Sequence, residues 1–251
     1  VGSEMCIRDR DNYLDLIRAR REQILERFYA ALDRAGRPHD AARLIAVSKT
    51  VGVDETVAAI QAGYRHFAEN RPQELVRKLA GLVEHPELPE VRFDMIGNLQ
   101  TNKIKKVLGR ASLIQSVDSE HLLAAIEKEA AKAGIVQDVL LEVNIGGEES
   151  KSGVSPEQLW PLLDAAAAEE HIRVKGLMAI PPVNDDDAQN RRYLAQVYKL
   201  FVQAGERGYQ NVKMETLSMG MSGDFENAIR EGATLVRIGT AIYGERDYSK
   251  K

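Results

Sequence analysis

The sequence contains a single cysteine, Cys6, among its 251 residues. One thiol cannot form a disulfide within the chain, and it cannot build a cysteine metal cluster. Paired metal-ligand spacing is also absent among the five histidines, which are His39, His66, His85, His121 and His171. We therefore expect no metal site, and the low cysteine content indicates a reducing, cytoplasmic location.

Long apolar runs and an excess of one charge are lacking as well. No stretch approaches the roughly 18 apolar residues that a membrane-spanning helix needs. The 34 basic and 38 acidic residues nearly balance, and the basic residues are dispersed along the chain. The hydrophobic content of 44% is ordinary for a globular protein with a core. We expect a globular protein that binds neither nucleic acid nor membranes.

Residues 1–10 differ in character from the rest of the chain. They are too polar for a signal peptide, which needs an apolar central region. We interpret this segment as a non-native or disordered leader and assign no function to Cys6. The remainder shows no Pro/Ser-rich linker and no composition break, so residues 11–251 are predicted to form a single domain.

Strand and helix patterns alternate along the chain. Residues 11–35 have apolar positions at helical spacing, and Gly36-Arg37-Pro38 ends this amphipathic helix. The later alternation predicts βαβ units and a parallel sheet. Strands are predicted near residues 44–48, 65–68, 92–96, 112–116, 138–144, 174–179, 214–218 and 235–238. Helices are predicted near residues 53–62, 72–82, 100–108, 119–133, 156–169, 187–207 and 223–231.

This order of elements predicts a closed (β/α)₈ TIM barrel. Residues 239–251 are too few for a full outer helix after the last strand. We expect the opening helix to fill the gap in the outer ring. An open doubly wound sheet is the alternative fold, but no Gly-rich dinucleotide fingerprint follows the first predicted strand.

A lysine follows the first predicted strand directly. Active sites of such barrels lie at the C-terminal ends of the strands, which is where Lys49 falls. Partial desolvation there would favour the neutral amine, the form that attacks an aldehyde to give a Schiff base. Considered by itself, Lys49 is more simply interpreted as an ordinary solvated lysine of a loop, because most lysines are exposed.

Small and hydroxyl-bearing residues follow the last two predicted strands, at positions 218–223 and at Gly239 and Thr240. Glycines let the backbone approach a phosphate group, and N–H groups and hydroxyls donate to its oxygens. A flexible loop is the alternative interpretation of residues 218–223. Arg237 lies within the last strand, where a buried guanidinium needs either a ligand atom or a structural carboxylate as partner.

The lysine, the phosphate loops and the arginine together predict a site for a phosphorylated aldehyde. Pyridoxal phosphate suits all three groups. A Schiff-base aldolase acting on a sugar phosphate would leave Arg237 without a role. It would also need an acid/base residue beside the lysine, for which Glu69 is the candidate at the strand ends.

Several segments, in order, resemble the pyridoxal phosphate homeostasis protein family from about residue 11 to Tyr248. The sequence departs from the usual pattern of that family at Ala68, Pro72 and Asn98. The matching segments are Ala46-Val47-Ser48-Lys49, Glu69-Asn70 with Gln73-Glu74, 96–103, Lys151-Ser152-Gly153, 176–181, 217–222 and 236–244.

The resemblance implies a barrel of the alanine-racemase N-terminal-domain type that carries pyridoxal 5'-phosphate (PLP) as a Schiff base on Lys49. It implies that Arg237 faces the pyridine nitrogen and keeps it unprotonated. The remaining implied site residues are Asn70, Asn144 and Met178 near the ring and Ser218, Ser222, Gly239 and Thr240 at the phosphate. The implied function is PLP (vitamin B6) and amino-acid homeostasis with little or no turnover, in a monomer whose partners are PLP-dependent apoenzymes.

A PLP-dependent amino-acid racemase is the alternative function. Racemases of this barrel type use a second acid/base residue, a tyrosine from an added β domain. We expect a chain that ends with the barrel to lack it, and an acid/base partner contributes about 10²–10⁴-fold to a rate. The run Asp185-Asp186-Asp187 is expected to cap the helix after it rather than to bind a metal.

Overall fold

Eight parallel strands close into a barrel in the order of the chain, and the last strand pairs with the first. The structure is a computed structural model that describes residues 7–183 and 186–244. The closed barrel confirms the predicted fold and excludes the open sheet. The strands are β1 Arg43–Val47, β2 His66–Glu69, β3 Arg92–Met95, β4 Leu113–Val117, β5 Gln137–Val143, β6 Ile172–Ala179, β7 Val212–Ser218 and β8 Leu235–Ile238.

Helices follow the strands on the outside of the barrel, close to their predicted positions. The helix predicted over 100–108 is a 3₁₀ turn, Thr101–Lys103, that continues into a short α-helix. A short last helix was not predicted. The α-helices are α1 Ile7–Arg34, α2 Val53–Gln61, α3 Pro72–Leu82, α4 Ile104–Val107, α5 Glu120–Ala133, α6 Leu159–Ala167, α7 Asp187–Gly205, α8 Phe225–Arg230 and α9 Thr240–Tyr243.

The opening helix completes the outer ring. α1 packs against α2, α8 and α9, which confirms its predicted place. Its apolar stripe, which includes Ile17 and Leu32, is fully buried. On its outer side, Arg27 Nε lies 2.7 Å from Glu226 Oε1 of α8. The hydrophobic stripe therefore holds α1 in place, since an ion pair exposed to this extent adds little stability.

Side chains of the strands alternate between two environments, as the pleat of a strand requires. One set, including Ala46 and Phe67, belongs to the large core between strands and helices. The other set points into the barrel, where Ile45, Val47 and Ala68 pack with Leu235. The direction of a strand residue therefore decides whether it reaches the barrel interior or the helices.

Asp186 caps the start of α7 as predicted, because its side chain accepts a hydrogen bond of 2.9 Å from the Ala188 N–H. Asp185 lies outside the described residues, as do residues 1–6 and 245–251. The division into a leader and one domain stays a prediction. Of the helices within the described ranges, none combines the length and the apolar character that a bilayer crossing requires.

Candidate functional site

Lys49 lies in a tight turn at the end of β1. The Val51 N–H donates to the Ser48 carbonyl at 3.2 Å, with Lys49 and Thr50 between them. Thr50 has a φ of +68°, a left-handed conformation that β-branched residues rarely adopt. Such a conformation costs on the order of 1–3 kcal/mol and is typical of functional sites. The backbone is therefore strained immediately after the candidate lysine.

The half-buried Lys49 lines an open cleft at the C-terminal ends of the strands. The cleft volume is about 320 Å³, which falls within the range of small-molecule sites. Its lining includes the apolar side chains of Val47, Ile96 and Ile180. Six of the predicted site residues meet in this lining, namely Lys49, Asn70, Ser222, Arg237, Gly239 and Thr240.

The loops after β7 and β8 meet on one side of the cleft. The N–H groups of Gly239 and Ala241 both donate to Ser222 Oγ, at 3.3 and 3.2 Å. An oxygen of a phosphate group could receive the same two donors. Gly220 in this loop has a φ of +92°, and a Cβ there would lie 2.4 Å from the Ala228 Cβ. Only glycine lets the loop follow this path.

Arg237 points into the barrel, and only 3% of its surface is exposed. Its Nη1 donates to Ser218 Oγ at 2.6 Å and its Nη2 to the Ala179 carbonyl at 3.0 Å. Both acceptors are neutral, so they are neither of the partners that the sequence left open. Burial lowers the pKa of Arg237 to about 10, while Asp224 and Glu142 oppose the shift. The guanidinium stays charged at neutral pH and can only donate hydrogen bonds.

Hydrogen bonds continue from Arg237 across the interior of the barrel. Ser218 Oγ donates to Gln115 Oε1 at 2.6 Å, and Gln115 Nε2 donates to Asp94 Oδ2 at 2.8 Å. His66 Nε2 lies 2.9 Å from the same Asp94 oxygen. Ser218 is fully buried within this network. Its assignment to a phosphate stays a prediction, because its hydroxyl already accepts a hydrogen bond from Arg237 and donates one to Gln115.

Asn144 and Met178 were expected near a cofactor ring. Asn144 Nδ2 donates to the carbonyls of Glu148 and Lys151, at 2.9 and 3.3 Å, and so shapes the loop after β5. Met178 is fully buried in β6. Neither belongs to the lining of the cleft as the described residues form it. Their assignments also stay predictions.

A carboxyl group inside the barrel was missed by sequence reasoning. Glu142 alternates along β5 with Leu141 and Val143, which pack toward the helices, and only 7% of its surface is exposed. Burial, and then repulsion by Asp118, raise the pKa of Glu142 to about 7, against attraction by Arg237. Burial also raises the pKa of Asp118. The alternation of residues along β5 was the signal that could have revealed Glu142.

Glu69 occupies the opposite environment. It is fully buried and forms an ion pair with Lys78 of α3. It also accepts a hydrogen bond of 2.6 Å from Ser48 Oγ. Its carboxylate therefore points toward α3 and is engaged there. This geometry removes the acid/base candidate that a Schiff-base aldolase would need beside the lysine.

Two of the three residues that depart from the family pattern, Pro72 and Ala68, are accommodated without disturbing their surroundings. Pro72 begins α3, where a proline costs no helical hydrogen bond. Ala68 packs with Ile45, Val47 and Leu235 inside the barrel. Asn98 lines a second, smaller cleft beside Asn70.

Known proteins resemble most of the chain. Residues 22–247 match the family model described as alanine racemase, N-terminal domain. The pyridoxal phosphate homeostasis protein of Aquifex aeolicus is 43% identical over 91% of this chain and 98% of its own length. A crystal structure from Bifidobacterium adolescentis has a TM-score of 0.86 at 38% identity, covering 92% of this chain and 96% of the other. PipY of Synechococcus elongatus, solved with PLP bound, has a TM-score of 0.74 at 31% identity, covering 88% of this chain and 100% of the other.

Proposed function

The chain belongs to the alanine racemase N-terminal domain family and, within it, to the pyridoxal phosphate homeostasis proteins, and we propose that it binds PLP at the mouth of its barrel. PipY, a relative of the same fold, has been solved with PLP bound. The observation that carries the proposal is the meeting of Lys49, Arg237 and Gly239 at one cleft, where the Gly239 and Ala241 N–H groups converge on Ser222.

Each group in the cleft has a proposed role. Lys49 holds the aldehyde carbon of PLP as a Schiff base. Arg237 donates a hydrogen bond to the ring nitrogen. Asn70 lies beside the ring, and we extend that role to Asn144 and Met178. The phosphate is bound by Ser222, Gly239 and Thr240, which line the cleft, and we extend that role to Ser218.

The proposed outcome is storage and supply of PLP, in PLP and amino-acid homeostasis, with little or no turnover. PLP acts as a strong electron sink when its ring nitrogen carries a proton. Arg237 keeps its own proton at neutral pH, because its pKa is about 10 despite burial. It therefore donates a hydrogen bond without supplying a proton, which leaves the ring nitrogen unprotonated.

We further propose that the protein is a cytoplasmic monomer that passes PLP to PLP-dependent apoenzymes. The partial exposure of Lys49 and the exposure of Thr240 support such transfer, because the cleft opens to solvent. Light scattering tests the monomer. Transfer is measured as activity gained by a PLP-dependent apoenzyme that is separated from the loaded protein by a dialysis membrane or mixed with it directly. Faster gain on direct mixing supports transfer by contact.

A spectrum tests the binding proposal. The protein mixed with PLP should develop the visible band of a Schiff base, and borohydride should fix the cofactor to the peptide that contains Lys49. Lys49→Ala should abolish both signals. Lys106→Ala, which removes an exposed lysine of α4, is the matched control and should change neither. An unchanged spectrum in Lys49→Ala would refute the assignment.

A PLP-dependent amino-acid racemase is the second candidate. It is favoured by Glu142, whose pKa of about 7 suits proton exchange at neutral pH. The test is conversion of L-amino acids to their D-forms by the loaded protein. Turnover that is lost in Glu142→Gln would favour the racemase, whereas absence of turnover in the unmutated protein would favour the storage role.

A further inference from the structure

A fully buried ion pair lies directly behind the lysine turn. Lys78 Nζ donates to Glu69 Oε1 and to the backbone carbonyl of Ser48. Ser48 Oγ donates to the same Glu69 oxygen at 2.6 Å. Lys78 and Glu69 have no exposed surface. The pair therefore ties α3 to the ends of both β1 and β2.

The Ser48 carbonyl links this pair to Lys49. The same oxygen accepts the Val51 N–H that closes the turn. The turn contains Thr50 at a φ of +68°. A strained turn relaxes unless its surroundings hold it in place. Lys78 therefore binds the same carbonyl that closes the turn containing Lys49.

The other end of the pair adjoins a second residue of the cleft. Glu69 is followed directly by Asn70, which lines the cleft with Lys49. The backbone of Asn70 packs closely against Gly97, where a Cβ would lie 2.1 Å from the Asn70 carbonyl oxygen. The ion pair thus lies between the two strand ends that present Lys49 and Asn70.

Stability alone does not account for this pair. Buried ion pairs are often no more stabilising than apolar side chains of the same size, because both charges lose their hydration. In addition, Glu69 Oε2 is buried without a hydrogen-bond partner among the described residues. Burial lowers the pKa of Lys78, although Glu69 opposes the shift. An arrangement with these costs fits a role in orientation.

We propose that Lys78 and Glu69 are positioning residues, which hold the turn of residues 48–51 in its strained conformation and so aim the Lys49 amine into the cleft. The proposal rests on the proposed role of Lys49 as the PLP lysine. Lys78 acts on the Ser48 carbonyl, and Glu69 acts by holding Lys78 and the Ser48 hydroxyl.

The test replaces both charges together, since loss of one would leave the other buried and unpaired. The variant is Lys78→Met with Glu69→Met. The matched control is Lys175→Met with Glu215→Met, a Lys–Glu pair with a distance of 2.9 Å that lies three or four residues before the ends of β6 and β7. The first readout is the rate at which borohydride fixes PLP to Lys49. The second, made without PLP, is the rate of reductive methylation of Lys49 by formaldehyde with cyanoborohydride as the reductant, followed by mass spectrometry.

We expect the Lys78/Glu69 variant to fold with a cooperative thermal transition. The rate of PLP fixation at Lys49 should fall about 10- to 100-fold, the scale of a small misplacement of a reacting group. The rate of Lys49 methylation should change as well, and both rates should stay unchanged in the Lys175/Glu215 control. If the double Met variant does not fold, the replacement is Lys78→Met with Glu69→Gln, which keeps an acceptor for the Ser48 hydroxyl. We expect the same fall in the rate of PLP fixation at Lys49 in this variant.

Thr50→Gly distinguishes a loss of the turn conformation from a general disturbance of the fold by the Lys78/Glu69 substitutions. Glycine adopts positive φ without strain, so the turn no longer depends on Lys78. Thr50→Gly added to the Lys78/Glu69 variant should restore much of the lost rate, and such non-additivity is the signature of coupling between the turn and the pair. The proposal would be overturned if the Lys78/Glu69 variant folded and kept the rates of the unmutated protein. It would also be overturned if adding Thr50→Gly to that variant did not restore the rate of PLP fixation. Failure of the unmutated protein to bind PLP would instead refute the proposed function, and methylation of Lys49 would still test the positioning.

Discussion

Glu142→Gln is predicted to stabilise the protein at alkaline pH and to do little at acid pH. Burial, followed by repulsion from Asp118, raises the pKa of Glu142 from 4.5 to about 7, and this value already includes attraction by Arg237. The folded protein therefore keeps a proton that the unfolded chain releases over this range. The free energy of unfolding falls as pH rises from about 4.5 to about 7, and above about pH 7 this loss is complete.

The magnitude follows from the difference between the two pKa values. A rise from 4.5 to about 7 is about 2.5 units, and at 1.36 kcal/mol for each unit it corresponds to about 3 kcal/mol. A glutamine side chain has nearly the same shape and carries no charge. Glu142→Gln should therefore raise the free energy of unfolding by up to about 3 kcal/mol at about pH 8, and by almost nothing at about pH 4.5.

Urea denaturation of the PLP-free protein at both pH values measures this difference. Glu149→Gln, in the exposed part of the loop after β5, is the matched control and should have little effect at either pH. The midpoint of the Glu142→Gln variant should move to higher urea only at the higher pH. A gain of equal size at both pH values, or a loss at the higher one, would contradict the pKa assigned to Glu142.

Three further changes probe the site. Lys78→Met alone leaves Glu69 buried without its partner and should cost about 3–5 kcal/mol in urea denaturation, whereas an unchanged midpoint would mean that the pair is not formed. Gly97→Ala places a Cβ 2.1 Å from the Asn70 carbonyl oxygen and should destabilise the protein by roughly 1–3 kcal/mol, while Gly223→Ala, which meets nothing within 4 Å, should be close to neutral. Ser222→Ala removes a hydroxyl that is proposed to donate to the phosphate and that also holds the loops after β7 and β8 together by accepting the Gly239 and Ala241 N–H groups, so PLP titrated by its visible band should bind about 3- to 10-fold more weakly. An unchanged Kd would place the phosphate elsewhere.

The order of elements in this barrel could be predicted because periodicity and turn chemistry are local properties of a chain. Each predicted strand overlaps an observed one, and the opening helix completes the outer ring as expected. Lys49 at the end of β1 and the residues after β7 and β8 were predicted on the same basis. Parallel strands in a barrel direct all their C-terminal ends to one rim, so these residues had to share it.

Contacts between residues far apart in sequence were decided only by the tertiary structure. The Ser218 hydroxyl is committed to Gln115, 103 positions away, and Glu69 is paired with Lys78 behind the cleft. The pKa of Glu142 depends on burial and on Asp118, which follows the neighbouring strand β4.

The sequence by itself thus determined which elements form and which residues reach the rim. Which of those side chains face the cleft, and how strained the turn at Thr50 is, depended on the closed barrel, because closure sets the direction and the neighbours of every strand residue at once.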